Sequence, residues 1–153
     1  MSVEAITNNR ISIISAAMEM IRKGGIQSVT ARSLGSRVGM NSALIYRYFS
    51  DIDEVILFAC VHALQEYNRD MSAAFAEANM TLDDSYDEYI YILSWELFSK
   101  HAFNNPEEYL TLFFSKHSAH LRDVIRQYYE LFPDSIDSRK DEIIEGMLRT
   151  ADL

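Results

Sequence analysis

Cysteine occurs once in the 153 residues, at Cys60, proline twice and glycine five times, and basic residues are outnumbered 14 to 23 by acidic ones. A lone cysteine excludes an internal disulfide and fits a reducing compartment, where it reads as a small apolar residue on a packed helix. Scarce proline and glycine leave no Pro/Gly-rich linker, and there is no internal repeat or low-complexity segment. The longest uninterrupted apolar run, Val55 to Val61, is seven residues, far short of the ~20 that span a bilayer. Glu4 stands where a signal peptide would be positive, and no apolar h-region follows it. A cytoplasmic protein with no membrane partner is expected.

Catalytic and metal chemistry are equally thin. No nucleophile and base stand at a recognisable spacing, so no enzyme is expected. His117-x-x-His120 on a predicted helix, with His101 and nearby acids, is the nearest approach to a metal set. Without an H-E-x-x-H or a cysteine cluster it reads as exposed histidines, and no metal or cofactor is expected.

What the chain does have is a division of charge. Residues 1–50 hold six basic side chains (Arg10, Arg22, Lys23, Arg32, Arg37, Arg47) against Glu4 and Glu19, a net of +4. The remaining 103 residues hold eight basic and twenty-one acidic side chains, a net of −13. Such asymmetry suits a first segment that meets an anionic partner and a remainder that stays clear of it.

Residues 24–49, GGIQSVTARSLGSRVGMNSALIYRYF, give that first segment its shape. Thr30 can cap a helix carrying Leu34 and Val38 on one face, Gly39 supplies a turn, and Asn41 caps the next helix. Leu44, Ile45 and Phe49 keep a 3.6 period and pack inward, leaving Asn41, Ser42, Tyr46 and Arg47 on the opposite face with Tyr48 at its edge. Upstream, a flexible leader of residues 1–7 precedes a helix from about Asn8 to Lys23, with a stripe of Ile11, Ile14, Met18 and Ile21 ended by Gly24-Gly25. The expected core of three helices is Ile14, Met18, Ile21, Val29, Leu34, Val38, Ile45 and Phe49.

The pattern V-T-x-R-x-L-x-x-x-V-G-M-N-x-A-x-I-Y-x-Y-F, Val29 to Phe49, resembles the DNA-binding segment of the tetracycline-repressor-like (TetR) family of bacterial transcriptional regulators. The likeness covers roughly residues 8–65, and no motif in the remaining two thirds matches. It implies a ligand-responsive dimeric repressor that binds a double-stranded DNA operator. Asn41, Ser42 and Ala43 would lie near base edges, where asparagine reads adenine and the Ala43 methyl meets thymine. Tyr46 and Tyr48 match paired positions whose hydroxyls reach phosphate, Thr30 would join them there, and Arg32 and Arg47 would add charge. Thr30 is a structural cap on either view, and Tyr48 also fits a core. Two positions depart from the family. Ile52 replaces a phosphate-holding lysine, which implies weaker sequence-independent affinity, and Gly35 replaces a small alanine at a cost of roughly 1 kcal/mol.

Asp51 and Glu54 make a capping-box-like start to a fourth helix of some 25 residues, which would tie the two parts together. After a break at Met80 to Asp84, a fifth helix from about Ser85 to Phe103 is apolar on two faces and should sit mid-domain. Asn105-Pro106-Glu107-Glu108 opens a short aromatic helix through Phe114. Further helices are expected at residues 117–132 and from about Ser135 to Leu148. Tyr91, Trp95, Phe98, Tyr109 and Phe113 either line a pocket for a small lipophilic effector, flat and conceivably cationic, or fill a core.

The expected fold is therefore all-α: an N-terminal three-helix helix-turn-helix DNA-binding domain (1–50), joined by a long fourth helix to a helical-bundle ligand and dimerisation domain (51–153). By the resemblance, two long C-terminal helices would form the dimer interface, and this sequence stops inside or just after the first. The competing reading is a protein-interaction module that keeps the fold without binding DNA, favoured by Ile52 and the acidic surface.

Overall fold

The computed structural model describes residues 2–77 and 88–133, all of whose regular elements are helical. The break at Met80 to Asp84, the first residues of the expected fifth helix, and the helix expected at 135–148 lie outside the described residues.

Helix α1 spans Val3–Gly24, and the expected leader is largely part of it. The reason is local: Ser2 is extended and its hydroxyl accepts the Ala5 N–H at 3.2 Å, with Glu4 in the first turn favoured by the helix dipole. Gly25, at φ 71°, ends the helix, and its N–H donates to the Ile21 carbonyl at 2.8 Å. A 3-10 turn at Ile26–Ser28 leads to α2, Ala31–Val38, and then α3, Ser42–Ile45. Ile14, Ile21, Val29, Leu34, Ile45 and Phe49 are buried as expected, while Met18 and Val38 pack against that core partly buried.

Helix α4, Ile52–Glu77, is the centre of the molecule, in contact with α1, α5 (Glu88–Asn104), α6 (Pro106–Phe114) and α7 (Leu121–Leu131). All seven residues of the Val55 to Val61 run are buried, because that stretch is enclosed on every side. Cys60 lies in it, and burial first of all pushes its thiol up to about 12, which makes it unreactive.

Four expectations about the second half change. The fifth helix does not sit in the middle of the described residues: only Ile90 and His101 of α5 are buried, while Tyr89, Tyr91 and Trp95 are each more than half exposed. It packs on α4 and α6, where the Phe98 ring meets Tyr67 of α4 and Tyr109 and Phe113 of α6. Asn105 precedes α6 without capping it by a side-chain bond. Its Nδ2 instead donates to the His101 carbonyl at 3.2 Å, closing α5. The helix expected from 117 begins as a 3-10 turn, Ser118–His120, before α7. His117 is half-buried, not exposed as expected: its Nε2 lies 3.0 Å from both Asp51 carboxylate oxygens. Among the described residues no three metal-ligating groups converge.

Asp51 is a junction. Its Oδ1 accepts the Glu54 N–H at 2.9 Å and caps α4, while Glu54 Oε2 reaches back to the Ser50 N–H at 2.5 Å. Lys116 Nζ stands 3.1 Å from Asp51 and 2.6 Å from Asp53. Burial alone would raise the Asp51 carboxyl, but the Glu54 N–H, Lys116 and His117 outweigh it and hold it at about 2. The folded state therefore takes up that proton later than the unfolded chain does. The stabilisation is complete above the ordinary value of 3.8 and drains away as pH falls toward 2. The wild-type chain should accordingly lose urea resistance over that window more steeply than Asp51→Asn. The difference should be at most about 1 kcal/mol, because the group is partly open to solvent.

Candidate nucleic-acid interface

The turn between α2 and α3 is fixed by local chemistry. Thr30 Oγ1 accepts the Ser33 N–H at 3.1 Å and Ser33 Oγ accepts the Thr30 N–H at 3.0 Å, a complete capping box. Ser33 went unnoticed in the sequence because serine, not glutamate or glutamine, closes the box. Gly39 sits in the left-handed region at φ 68°, ψ 27°, and a methyl added there would meet nothing within 4 Å. Gly39→Ala should thus cost about 1–2 kcal/mol from backbone strain alone, read as a lower urea midpoint with no change in helix content.

Gly35 gains a reason that helix propensity does not give. A Cβ there would stand 2.6 Å from the Met40 carbonyl oxygen, while the Met40 N–H donates to the Gly35 carbonyl at 2.9 Å. The glycine lets the turn fold back onto α2.

Asn41 Oδ1 accepts the Leu44 N–H at 2.8 Å and starts α3, which is shorter than expected. Its α-helical part stops at Ile45. The Arg47 and Tyr48 N–H groups make three-residue bonds to the Leu44 and Ile45 carbonyls, so Tyr46, Arg47 and Tyr48 lie on a turn continuing the helix. Phe49, 3% exposed, anchors the end of that turn in the core.

Around this turn Thr30, Arg32, Asn41, Ala43, Tyr46 and Arg47 are exposed, with Tyr46 at 49%. Ser42 is half-buried, and its hydroxyl donates to the Ala31 carbonyl at 3.3 Å. Tyr48 is half-buried and packs on the core, and its hydroxyl accepts the Asn9 Nδ2 of α1 at 2.7 Å. Tyr46, Arg47, Asn41 and Ala43 thus come together as one open surface, whereas Ser42 and Tyr48 are tied into the scaffold.

The basic residues divide as well. Arg10 is structural: its guanidinium lies 5.3 Å over the Phe49 ring and 5.1 Å over Phe58, and Nη2 donates to Gln127 at 3.0 Å. Burial lowers its pKa from the ordinary value. Lys23 and Arg37 both pair with Glu19, whose carboxyl is held at about 2, chiefly by the Lys23 bond and then by Arg37. Among the described residues of the first fifty, Arg22, Arg32 and Arg47 are exposed and lie in no such ion pair.

This arrangement of capped α2, left-handed glycine and exposed tyrosine-arginine turn coincides with a family match. Residues 13–58 match the family of bacterial regulatory proteins, tetR family. Over this segment the chain is similar to the TetR family. The match ends at Phe58, the seventh residue of α4, so α5 to α7 lie beyond it. The chain is also 36% identical over 70 residues to the HTH-type transcriptional regulator BetI of Brucella canis and to that of Brucella suis. It is 34% identical over 65 residues to BetI of Brucella anthropi. The first two matches cover 46% of this chain and 35% of the relative, the third 42% and 34%. The chain thus spans about a third of the length of the curated relatives it matches. No solved structure matches.

The five aromatic residues expected at an effector site form a ladder of ring contacts. Tyr91 meets Trp95 at 6.3 Å, Trp95 meets Phe98 at 5.9 Å, and Phe98 meets Tyr109 at 5.3 Å and Phe113 at 5.7 Å. Tyr109 is buried, Phe98 half-buried, and the others exposed, so the ladder runs from the interior to the surface. The Tyr109 hydroxyl is buried with no hydrogen-bond partner, and burial pushes its pKa up.

Proposed function

We propose that this chain is a TetR-family, sequence-specific DNA-binding transcriptional regulator, acting as a homodimeric repressor that releases its operator on binding a small effector. Residues 1–50 form the DNA-binding part and 51–153 the effector and dimerisation part. The observation that carries the reading is the single open surface of Asn41, Ala43, Tyr46 and Arg47 at the tip of the helix-turn-helix, with Thr30 and Arg32 beside it. The curated relatives, each named an HTH-type transcriptional regulator, support it.

In this reading Asn41 keeps its Oδ1 on the cap and turns Nδ2 toward a base edge, and the Ala43 methyl meets thymine. Tyr46 donates its hydroxyl to a phosphate, Arg32 and Arg47 supply charge, and the Thr30 region approaches the backbone. Ser42 and Tyr48 contribute mainly by holding that surface in place.

An effector of flat, lipophilic character would insert along Tyr91, Trp95, Phe98, Tyr109 and Phe113. A buried unpartnered hydroxyl costs about 1–3 kcal/mol, and a hydrogen-bond acceptor on the effector would satisfy Tyr109. The route to the DNA surface is short. Glu107 Oε2 at the start of α6 accepts the Ile26 N–H at 3.3 Å, and Lys116 and His117 beyond its end grip Asp51 and Asp53. A shift of α6 would therefore move the first turn of α4 and the helix-turn-helix together.

Selection of fragmented genomic DNA by the purified chain tests this. The recovered fragments should share an inverted repeat with half-sites about one turn (~34–36 Å) apart. Recovery without any common sequence would refute specific recognition.

A further inference from the structure

Arg10 of α1 turns its guanidinium into the core, half-buried in the angle between two rings. One is Phe49, which closes the exposed turn, and the other is Phe58 of α4, edge-on to it at 5.7 Å. On its other side the guanidinium reaches α7, where Nη2 donates to Gln127 Oε1 at 3.0 Å. Burial lowers its pKa, and the charges of Glu54 on α4 and Glu130 on α7 offset part of that. Among the described residues it has one hydrogen-bond partner, and its Nε is buried with none. Arg10 precedes and Gln127 follows the segment that matches the family.

Stability does not account for a guanidinium in this place. A partly desolvated charge with incomplete hydrogen bonding can be replaced by an apolar side chain of like volume, often with no loss of stability. What such a side chain lacks is direction. The planar guanidinium stacks on ring faces and presents its donors in a fixed fork, so a single side chain sets the Phe49 ring against Gln127. Phe49 in turn sets the exposed turn. Its N–H donates to the Ile45 carbonyl at 3.2 Å, beside the Tyr48 N–H at 3.0 Å, and the Arg47 N–H donates to the Leu44 carbonyl at 3.1 Å. We propose that Arg10 is a positioning residue, which holds the Tyr46–Arg47 turn in its DNA-meeting form and ties that form to the place of α7. This rests on the DNA-binding reading above and deepens it, because α7 becomes a second lever on the turn, apart from α6.

The intact chain is compared with Arg10→Met, Gln127→Ala and the double variant. Arg10→Met should melt within about two degrees of wild type or above it. Amide exchange followed by NMR should quicken about tenfold or more at Arg47, Tyr48 and Phe49 and stay unchanged in the buried stretch of α4. Affinity for the DNA that the wild-type chain selects should fall about tenfold. The slope of log affinity against log salt should not change, because Arg10 gives up no phosphate contact. Gln127→Ala should move exchange and affinity the same way, about threefold, and the double variant should be no worse than Arg10→Met alone.

A loss of stability with wild-type exchange at residues 47–49 overturns the proposal, since ordinary packing predicts that result. So does a shallower salt slope, which would make Arg10 a phosphate contact. Should Arg10→Met fail to fold, Gln127→Ala decides, and wild-type exchange in that variant overturns the proposal. A wild-type chain that binds no DNA strikes the regulator reading, whereas unchanged exchange in a chain that does bind strikes the role of Arg10 alone.

Discussion

Replacing Tyr46 and Arg47 together by alanine is expected to lower operator affinity by about 100-fold or more, while the melting temperature moves by no more than a degree or two. Tyr46 is half exposed and Arg47 is exposed, and neither belongs to the buried core. Losing a phosphate or base contact costs about 1–3 kcal/mol each, whereas surface substitutions away from core and caps stay within about 0.5 kcal/mol of stability. Fluorescence anisotropy against the selected operator reads the first quantity and thermal dichroism the second. Tyr48→Phe is the control with the opposite pattern. It removes the hydroxyl that accepts Asn9 at 2.7 Å and should lower stability by about 1 kcal/mol with a smaller effect on affinity. If the double variant binds DNA as wild type does, the exposed turn has another purpose, and a protein partner becomes the better reading.

Phe58→Ala should bring the largest loss of stability, about 3–5 kcal/mol, or roughly 6–20 °C in melting temperature for a chain of this size. Phe58 is completely buried in α4 and meets Phe49 edge-on at 5.7 Å, where the end of the helix-turn-helix enters the core. The Arg10 guanidinium lies over its ring at 5.1 Å. Deleting the ring leaves a cavity and also strips a partly buried charge of one of its two aromatic faces, so the penalty should lie toward the upper end. Phe58→Leu refills most of the volume without restoring the ring, and the gap between the two variants isolates the aromatic contribution. Equal melting temperatures for wild type and Phe58→Ala would contradict the continuous core described here.

The helix-turn-helix was legible in the sequence because its determinants are local. Thr30, Gly39 and Asn41 each set a cap or a turn within three residues, and each does so in the structure. The length of α3 was not legible. Whether Tyr46 to Tyr48 continue as α-helix or tighten into three-residue turns depends on Phe49 reaching the core, which is a tertiary fact. The same limit applies to the roles of Arg10, Tyr48 and His117. Their partners lie 117, 39 and 66 residues away, and no period or spacing connects them. For α5 the apolar pattern on two faces marked the helix but not its place: Tyr89, Tyr91 and Trp95 are more than half exposed, so among the described residues it does not lie mid-domain. The five aromatics were expected either to line a pocket or to fill a core, and their rings form a chain of contacts that is buried at Tyr109 and exposed at Tyr91, Trp95 and Phe113.

The proposed regulator acts only if the exposed turn around Tyr46 meets DNA. The most direct measurement is a salt series of anisotropy titrations of the intact chain against the DNA upstream of its own gene, beside unrelated DNA of equal length. The expected result is tighter binding to the upstream DNA, weakening linearly in log affinity with log salt as the exposed arginines release counterions. Absence of binding to either DNA at the lowest salt would contradict it.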